Sequence, residues 1–295
     1  MPCGRRSSPV SELSIAGREG IADWIESHIL LTATRSIGIG ALESFAESEI
    51  RATPSAFELA LSSIRRRAQL LGDLYPFVIT PVGMQLATEA LYSPYAALLL
   101  LTPGATARQL GSVTPSQGMT VLFERIVCRA MEGLLGPRST AVRFGWPSEF
   151  GRPPEFPAAV TWLARQMGIS PGSAYRPPRR KDGGVDIVAW RPFPDGRSGF
   201  PVVLVQCTLQ QEILSKAADV DVRNWAGWLT LDTDPMIALA VPGTIPSDET
   251  WNEIAARSLI LERVRLVGLI GAGAHETIPG LVEEVELLVR TTDYG

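Results

Sequence analysis

The sequence predicts an α/β fold with a mainly helical N-terminal portion. Three observations carry this. Short β-branched runs bounded by Gly or Pro, such as Val185 to Trp190 and Pro201 to Cys207, read as buried strands. Between such runs lie stretches with apolar residues at helical spacing, led by Met119 to Leu135. In the first hundred or so residues, helical stretches dominate over a small β element. A chain of 295 residues suits one large or two ordinary domains. The division falls near residue 110: residues 1–110 form a mainly helical unit, with partner or target binding as its candidate role, and residues 111–295 form an α/β sandwich.

The elements follow in order. Residues 1–12 are a polar tail. Ser14 to Glu49 reads as helical, with Ile21, Trp24, Ile25, Ile29 and Leu30 apolar and Gly38 and Gly40 as breaks. Ala56 to Leu71 is a second helix, with Ser55 as N-cap and Gly72 as stop. Its Arg65-Arg66-Arg67 run reads first as a solvated face and second as a phosphate contact. Tyr75 to Ile79 is a strand, and Tyr95 to Leu101 fits either a strand or a buried helix. Residues 103–117 read as a linker. Met119 to Leu135 is an amphipathic helix stopped by Gly136-Pro137. Ser139 to Trp146 is a short strand, and Pro157 to Met167 a helix. Leu209 to Leu231 is helical with a break near Asp219 to Asp221, and Trp225 and Trp228 pack. Met236 to Val241 is a strand, Thr250 to Ser258 a helix, Leu259 to Ile270 one or two strands, and Gly280 to Arg290 the last helix.

Composition removes several functions. Three cysteines without paired spacing argue against a disulfide framework and a zinc site, and a reducing cytoplasm is the expected compartment. Two histidines, His28 and His275, leave little scope for a Ser-His triad. Cys207 lies in a strand run with no histidine near it in sequence, so it reads as a small buried apolar residue and not as a nucleophile. No signal peptide is visible, and the most apolar run, Ala96 to Leu101, is far too short to span a membrane. A net charge of −4 weakens simple binding to nucleic acid backbones without excluding it, because local basic patches matter more than the total. Only two lysines occur, Lys181 and Lys216, and both flank the stretch that holds the candidate chemistry.

That stretch is Lys181 to Thr208. It reads as a hairpin whose arms are Val185 to Trp190 and Pro201 to Cys207. The loop between them carries Asp195-Gly196, a dipeptide suited to the positive φ of a tight turn. Each arm has one polar residue where an apolar one is expected, Asp186 and Gln206. A carboxylate inside an apolar strand is costly unless it is paired or binds a metal. The bland alternative is an Asp that caps a turn and a Gln bonded to backbone.

Asp182-Gly183-Gly184-Val185-Asp186, then Val205-Gln206-Cys207-Thr208, preceded by Phe123-Glu124 on a helix, resembles the Mrr-like restriction endonucleases of the PD-(D/E)xK nuclease superfamily. The resemblance covers residues 118 to 270. It implies a restriction-endonuclease-like α/β/α core and a metal-dependent endonuclease acting on DNA, in restriction or anti-phage defence. It implies Mg²⁺ or Mn²⁺ held by Asp186, Gln206 and Glu124. The family's lysine after the second strand is replaced by Thr208, a neutral hydroxyl that cannot stabilise charge on a phosphate in its place. Lys216, eight residues on, is the preferred catalytic substitute and Lys181 the other. Arg179, Arg180 and Lys181, in a Pro-stiffened basic segment before the hairpin, are candidate DNA contacts. Without the resemblance, Glu124 reads as a first-turn acid favoured by the helix dipole.

Two other readings stay open. One is a catalytically inactive nuclease fold that binds nucleic acid or a partner subunit, favoured by Thr208. The other is an interaction protein in which the helical N-terminal portion does the work. The expected partners are DNA and a protein bound through the N-terminal portion. No membrane is expected, and a homo-oligomer is compatible with the sequence.

Overall fold

The computed structural model describes residues 17–103, 116–148, 151–173, 177–178, 182–210, 213, 220–272 and 278–290. The first part is helical because its apolar residues recur on one face of each helix. Helix α1 (Gly17–Leu31) buries Trp24, Ile25 and Ile29. Helix α2 (Ile39–Ile50) follows strand β1 (Ser36–Gly38). Helix α3 (Pro54–Leu71) buries Phe57, Ala60, Leu61, Ile64 and Leu71. Its cap is Thr53, whose Oγ1 accepts the Ala56 N–H at 3.3 Å, two residues earlier than the Ser55 of the sequence reading. Strands β2 (Phe77–Ile79) and β3 (Gly83–Leu86) complete a small antiparallel sheet in the order β1-β3-β2.

The ambiguous apolar run after residue 94 is helix α4 (Pro94–Leu100), buried along its whole length. Pro94 at its first position and Ser93, whose Oγ accepts the Ala96 N–H at 3.2 Å, supply the helical start that an apolar run alone does not signal.

The second part alternates strands and helices, as expected. In order they are α5 (Gln117–Leu135), β4 (Thr140–Arg143), α6 (Phe156–Met167), β5 (Ile187–Trp190), β6 (Val202–Cys207), α7 (Val222–Trp228), β7 (Met236–Ala240), α8 (Glu249–Ala255), β8 (Leu259–Leu261), α9 (Arg263–Ile270) and α10 (Leu281–Arg290). The sheet order is β4-β5-β6-β7-β8. β4-β5 and β5-β6 are antiparallel, and β6-β7 and β7-β8 are parallel.

Alternation along the strands sends Ile187, Ala189, Val203 and Val205 to one face and Val188, Trp190, Val202 and Leu204 to the other. Helices α5, α9 and α10 cover the first face, and α6 and α7 the second. The result is a mixed α/β structure with a five-stranded mixed sheet between two helical layers. Among the described residues, no helix is long and apolar enough to cross a membrane.

The expected strand pair over Leu259 to Ile270 is a three-residue strand followed by a helix. Arg263, Leu266, Val267 and Ile270 are the buried residues of α9, at helical spacing i, i+3, i+4 and i+7. The Arg263-Val264-Arg265-Leu266 alternation at its start mimics a period of two and hid that spacing.

One core runs through both parts. Trp24, Ile64 and Tyr95 belong to the same buried cluster as Phe123, Val205 and Leu266. Inside it lies a set of buried ions. Arg263 grips Asp23 with two parallel bonds, Nη1 to Oδ1 at 2.8 Å and Nη2 to Oδ2 at 3.0 Å. Arg67 Nη1 donates to Asp23 Oδ1 at 2.6 Å and to Glu26 Oε2 at 2.8 Å. Tyr75 and Tyr95 donate their hydroxyls to Glu26 at 2.6 and 2.8 Å. Arg67 is therefore a core residue, while Arg65 and Arg66 of the same run are exposed.

Burial pushes the Asp23 carboxyl up, but the Arg263 and Arg67 guanidiniums beside it outweigh that and hold it below its ordinary value. Burial and the Glu26 carboxylate push both phenols up. The ions join α1 and α3 to α9, so the first part is tied to the second by charge as well as by apolar packing.

Candidate functional site

The Asp182-Gly183-Gly184 segment is a turn with physical reasons for each residue. Asp182 Oδ1 accepts the Gly184 N–H at 2.8 Å, a local Asx turn. Gly183 has φ +66°, and a side-chain carbon there would sit 2.8 Å from the Trp228 ring. Its carbonyl accepts the Trp225 indole N–H at 3.2 Å. Trp225 and Trp228 pack edge-on against each other and against Phe156, so their role is to seat this turn. The turn delivers Asp186 to the start of β5.

Asp186 stands one residue before the start of β5. β5 is paired with β4 and β6 from Ile187 onward. Before that point the Asp186 carbonyl accepts the Phe144 and Gly145 N–H groups at 2.7 and 3.0 Å. Its N–H donates to the Val205 carbonyl at 2.9 Å. Beyond the end of β5, the Cys207 N–H has lost its ladder partner, and Asp186 Oδ2 accepts it at 2.7 Å. One carboxylate oxygen is thus fixed by backbone.

Glu124 arrives from α5. It lies seven residues inside the helix, is buried, and accepts from Arg143 Nε at 2.7 Å through Oε2. The first-turn position expected from the sequence does not hold, because the helix starts at Gln117, capped by Ser116 Oγ on the Met119 N–H at 3.2 Å. The charge that matters to Glu124 is Arg143 on β4, not the helix end. Phe123, beside it, is fully buried and anchors this turn of the helix in the core. Burial of such a ring is worth roughly 1.5–3 kcal/mol.

The two carboxylates meet at Gly145. A carbon built on its Cα would lie 3.3 Å from Asp186 Oδ1 and 3.7 Å from Glu124 Oε1. Asp186 Oδ1 and Glu124 Oε1 therefore both lie within 4 Å of one point beside Gly145. Two carboxylate oxygens on one space repel unless a cation or a proton lies between them. Among the described residues no three His, Cys, Asp or Glu side chains gather, so this is a two-carboxylate centre. That donor set fits Mg²⁺, which takes one or two carboxylates and keeps several waters, and does not fit zinc.

Gln206 sits opposite Asp186, because Ile187 pairs with Val205 across β5 and β6. Strand alternation puts it with Val202 and Leu204, toward α6 and α7, whereas Cys207 faces α5. Its side chain is buried. The Cys207 thiol is pushed well up, first by burial and then by the Asp186 and Glu124 carboxylates, so it stays protonated at neutral pH. This fits a packing role.

Thr208 is buried, and its Oγ1 accepts the Gln210 N–H at 3.1 Å. Lys216, Lys181, Arg179 and Arg180 lie outside the described residues.

Two arginines that sequence reasoning passed over stand here. Arg143 backs Glu124. Arg152 is buried with its guanidinium 4.6 Å from the Phe144 ring centre and 5.6 Å from that of Trp146. Its Nη1 donates to the Pro153 carbonyl at 2.7 Å, while Nε and Nη2 are buried without a hydrogen-bond partner. Burial lowers its affinity for the proton, partly offset by Asp182. The one signal for Arg143 was its place at the end of an apolar run before Phe144-Gly145.

No protein-family model, curated protein or solved structure matches the chain.

Proposed function

We propose that the chain is a metal-dependent endonuclease that hydrolyses phosphodiester bonds of DNA, in restriction or anti-phage defence. The observation that carries this reading is the convergence of Asp186 Oδ1 and Glu124 Oε1 on the space beside Gly145. A strand-borne Asp after a D-G-G turn and a helix-borne Glu meet there, as the resemblance to Mrr-like nucleases implies. The helical layers on both sides of a mixed sheet support the restriction-endonuclease-like α/β/α core in the same way.

Asp186 and Glu124 would hold Mg²⁺ or Mn²⁺, with Gln206 as a third oxygen on the neighbouring strand. The metal, when bound, activates a water and offsets charge on the phosphate. The protein's own contribution is orientation. The Cys207 N–H fixes Asp186, and Arg143 fixes Glu124 and keeps a positive charge beside the carboxylates. Lys216, or failing it Lys181, is the proposed cation at the phosphate, with Arg179, Arg180 and Lys181 along the DNA backbone.

A second reading is a nuclease fold without activity that binds nucleic acid or a partner subunit. Thr208 favours it, because its hydroxyl is tied to a turn and carries no charge. Mn²⁺ titration and plasmid cleavage with the wild type and Lys216→Ala separate the two. Cleavage lost in Lys216→Ala supports the enzyme with a displaced lysine. Metal and DNA binding without any cleavage by the wild type supports the inactive fold.

A further inference from the structure

We propose that a cleft on the seam between α1, α3 and the α8–α9 region binds a nucleotide-sized phosphorylated ligand. The cleft has a volume of about 510 Å³ and shares no residue with the carboxylate centre. That volume lies in the range of small-molecule sites and is far larger than a lone phosphate needs.

The charge at its rim favours an anion. Arg18 and Arg66 come from the N-terminal helices and Arg265 from α9. Arg66 and Arg265 are exposed, and Arg18 is half-exposed. A guanidinium offers donors and no acceptor, and its planar fork matches phosphate oxygens. The acids nearby are already engaged. Glu19 accepts from Ser63 at 2.8 Å and from Arg67 at 2.8 Å. Glu262 accepts the Ile245 N–H at 2.7 Å, and burial raises its carboxyl, which eases its neutralisation beside an incoming anion. Thr244 adds a hydroxyl oxygen that is buried without a hydrogen-bond partner.

The rest of the lining asks for more than phosphate. Leu59, Ser62, Arg66 and Leu70 stand at i, i+3, i+7 and i+11 of α3, so one helix face presents both apolar surface and charge to the cleft. Leu59 and Leu70 are 55% and 61% exposed, a cost that a base or other apolar group would relieve. Across from them the Arg265 guanidinium lies 4.7 Å over the Trp251 ring, which holds that cation at the cleft and adds apolar surface to its wall. An anion joined to a flat apolar body satisfies both walls at once.

The test is calorimetric titration and thermal melting of the full chain with AMP, adenosine and inorganic phosphate. The variants are Arg66→Glu, Arg66→Gln, Arg265→Glu and Asp186→Ala. AMP is expected to bind saturably and raise the melting temperature, with adenosine and phosphate each at least tenfold weaker. Arg66→Glu and Arg265→Glu are expected to weaken AMP at least tenfold, and Arg66→Gln less. Asp186→Ala is expected to leave the affinity unchanged. The unliganded melting temperature of the Arg66 variants stays near that of the wild type, because the side chain is exposed. Absence of saturable AMP binding overturns the proposal. So does unchanged affinity in the arginine variants, or a loss confined to Asp186→Ala, which would move the ligand to the carboxylate centre.

Discussion

Two places in this molecule hold buried carboxylates against arginine, and they are built to opposite ends. In the cluster of Asp23, Glu26, Arg67 and Arg263, the carboxylate oxygens meet guanidinium or phenol donors at 2.6–3.0 Å. At the carboxylate centre, Arg143 takes one oxygen of Glu124 and the Cys207 N–H one oxygen of Asp186, and the second oxygen of each lies within 4 Å of one point beside Gly145. The first arrangement is closed and holds α1, α3 and α9 together. The second brings two carboxylates together beside Gly145, where the proposed metal would bind. Proximity of acid and arginine does not by itself mark a functional centre; what the remaining oxygens face decides it.

The largest expected effect is on the closed cluster. Arg263→Ala leaves Asp23 without its two-pronged partner in a dry interior. Breaking a buried ion pair in this way costs about 3–5 kcal/mol. Urea unfolding should show this as a large fall in midpoint, and a loss below about 1 kcal/mol would mean the cluster does not lock the two parts. Replacing Asp23 by Asn tests the same lock against pH. Its carboxyl is held below the ordinary 3.8 when folded, so its stabilisation is complete above that value and fades as pH falls through the lower folded value. The difference in stability between wild type and Asp23→Asn should therefore be flat from pH 5 to 8 and shrink below 3.8.

The carboxylate centre should respond in metal affinity more than in stability. Gly145→Ala places a methyl between Asp186 and Glu124 while leaving both acids in place. About a tenfold loss of Mn²⁺ affinity, near 1.4 kcal/mol, is expected by calorimetry. Equal affinity in Gly145→Ala would show that metal, if bound, lies elsewhere. The smallest effect belongs to Cys207→Ala. The thiol is protonated and packed, so cleavage and Mn²⁺ binding should stay within about twofold of wild type, consistent with a truncation that removes only one polarisable atom.

Much of the candidate site was legible because it is local. The D-G-G turn, the polar residues Asp186 and Gln206 in apolar strands, and Phe123-Glu124 in an amphipathic helix are all patterns within a few residues. The partner of Glu124 was not, because Arg143 reaches it only when β4 packs on α5, and one arginine in an arginine-rich chain carries no mark. Gly145 is silent for the same reason, since its importance lies in what approaches it. The fold was readable where period and caps agreed, as in α5 and β6. It was misread after Leu261, where the alternation Arg263-Val264-Arg265-Leu266 concealed a helix. Arg67 could have been placed from the helical wheel, because it falls on the face of Phe57, Ala60, Ile64 and Leu71. Reading it as part of a three-arginine run put a core residue on the surface.

The proposed nuclease activity depends on Asp186 as the acid that would hold the metal. The most direct measurement is cleavage of plasmid and single-stranded DNA with Mg²⁺ or Mn²⁺, comparing wild type and Asp186→Ala at matched melting temperature. The account predicts metal-dependent cleavage by the wild type and a loss of at least about a hundredfold in the variant, roughly 2.7 kcal/mol or more of transition-state stabilisation. Cleavage that persists undiminished in Asp186→Ala would contradict it.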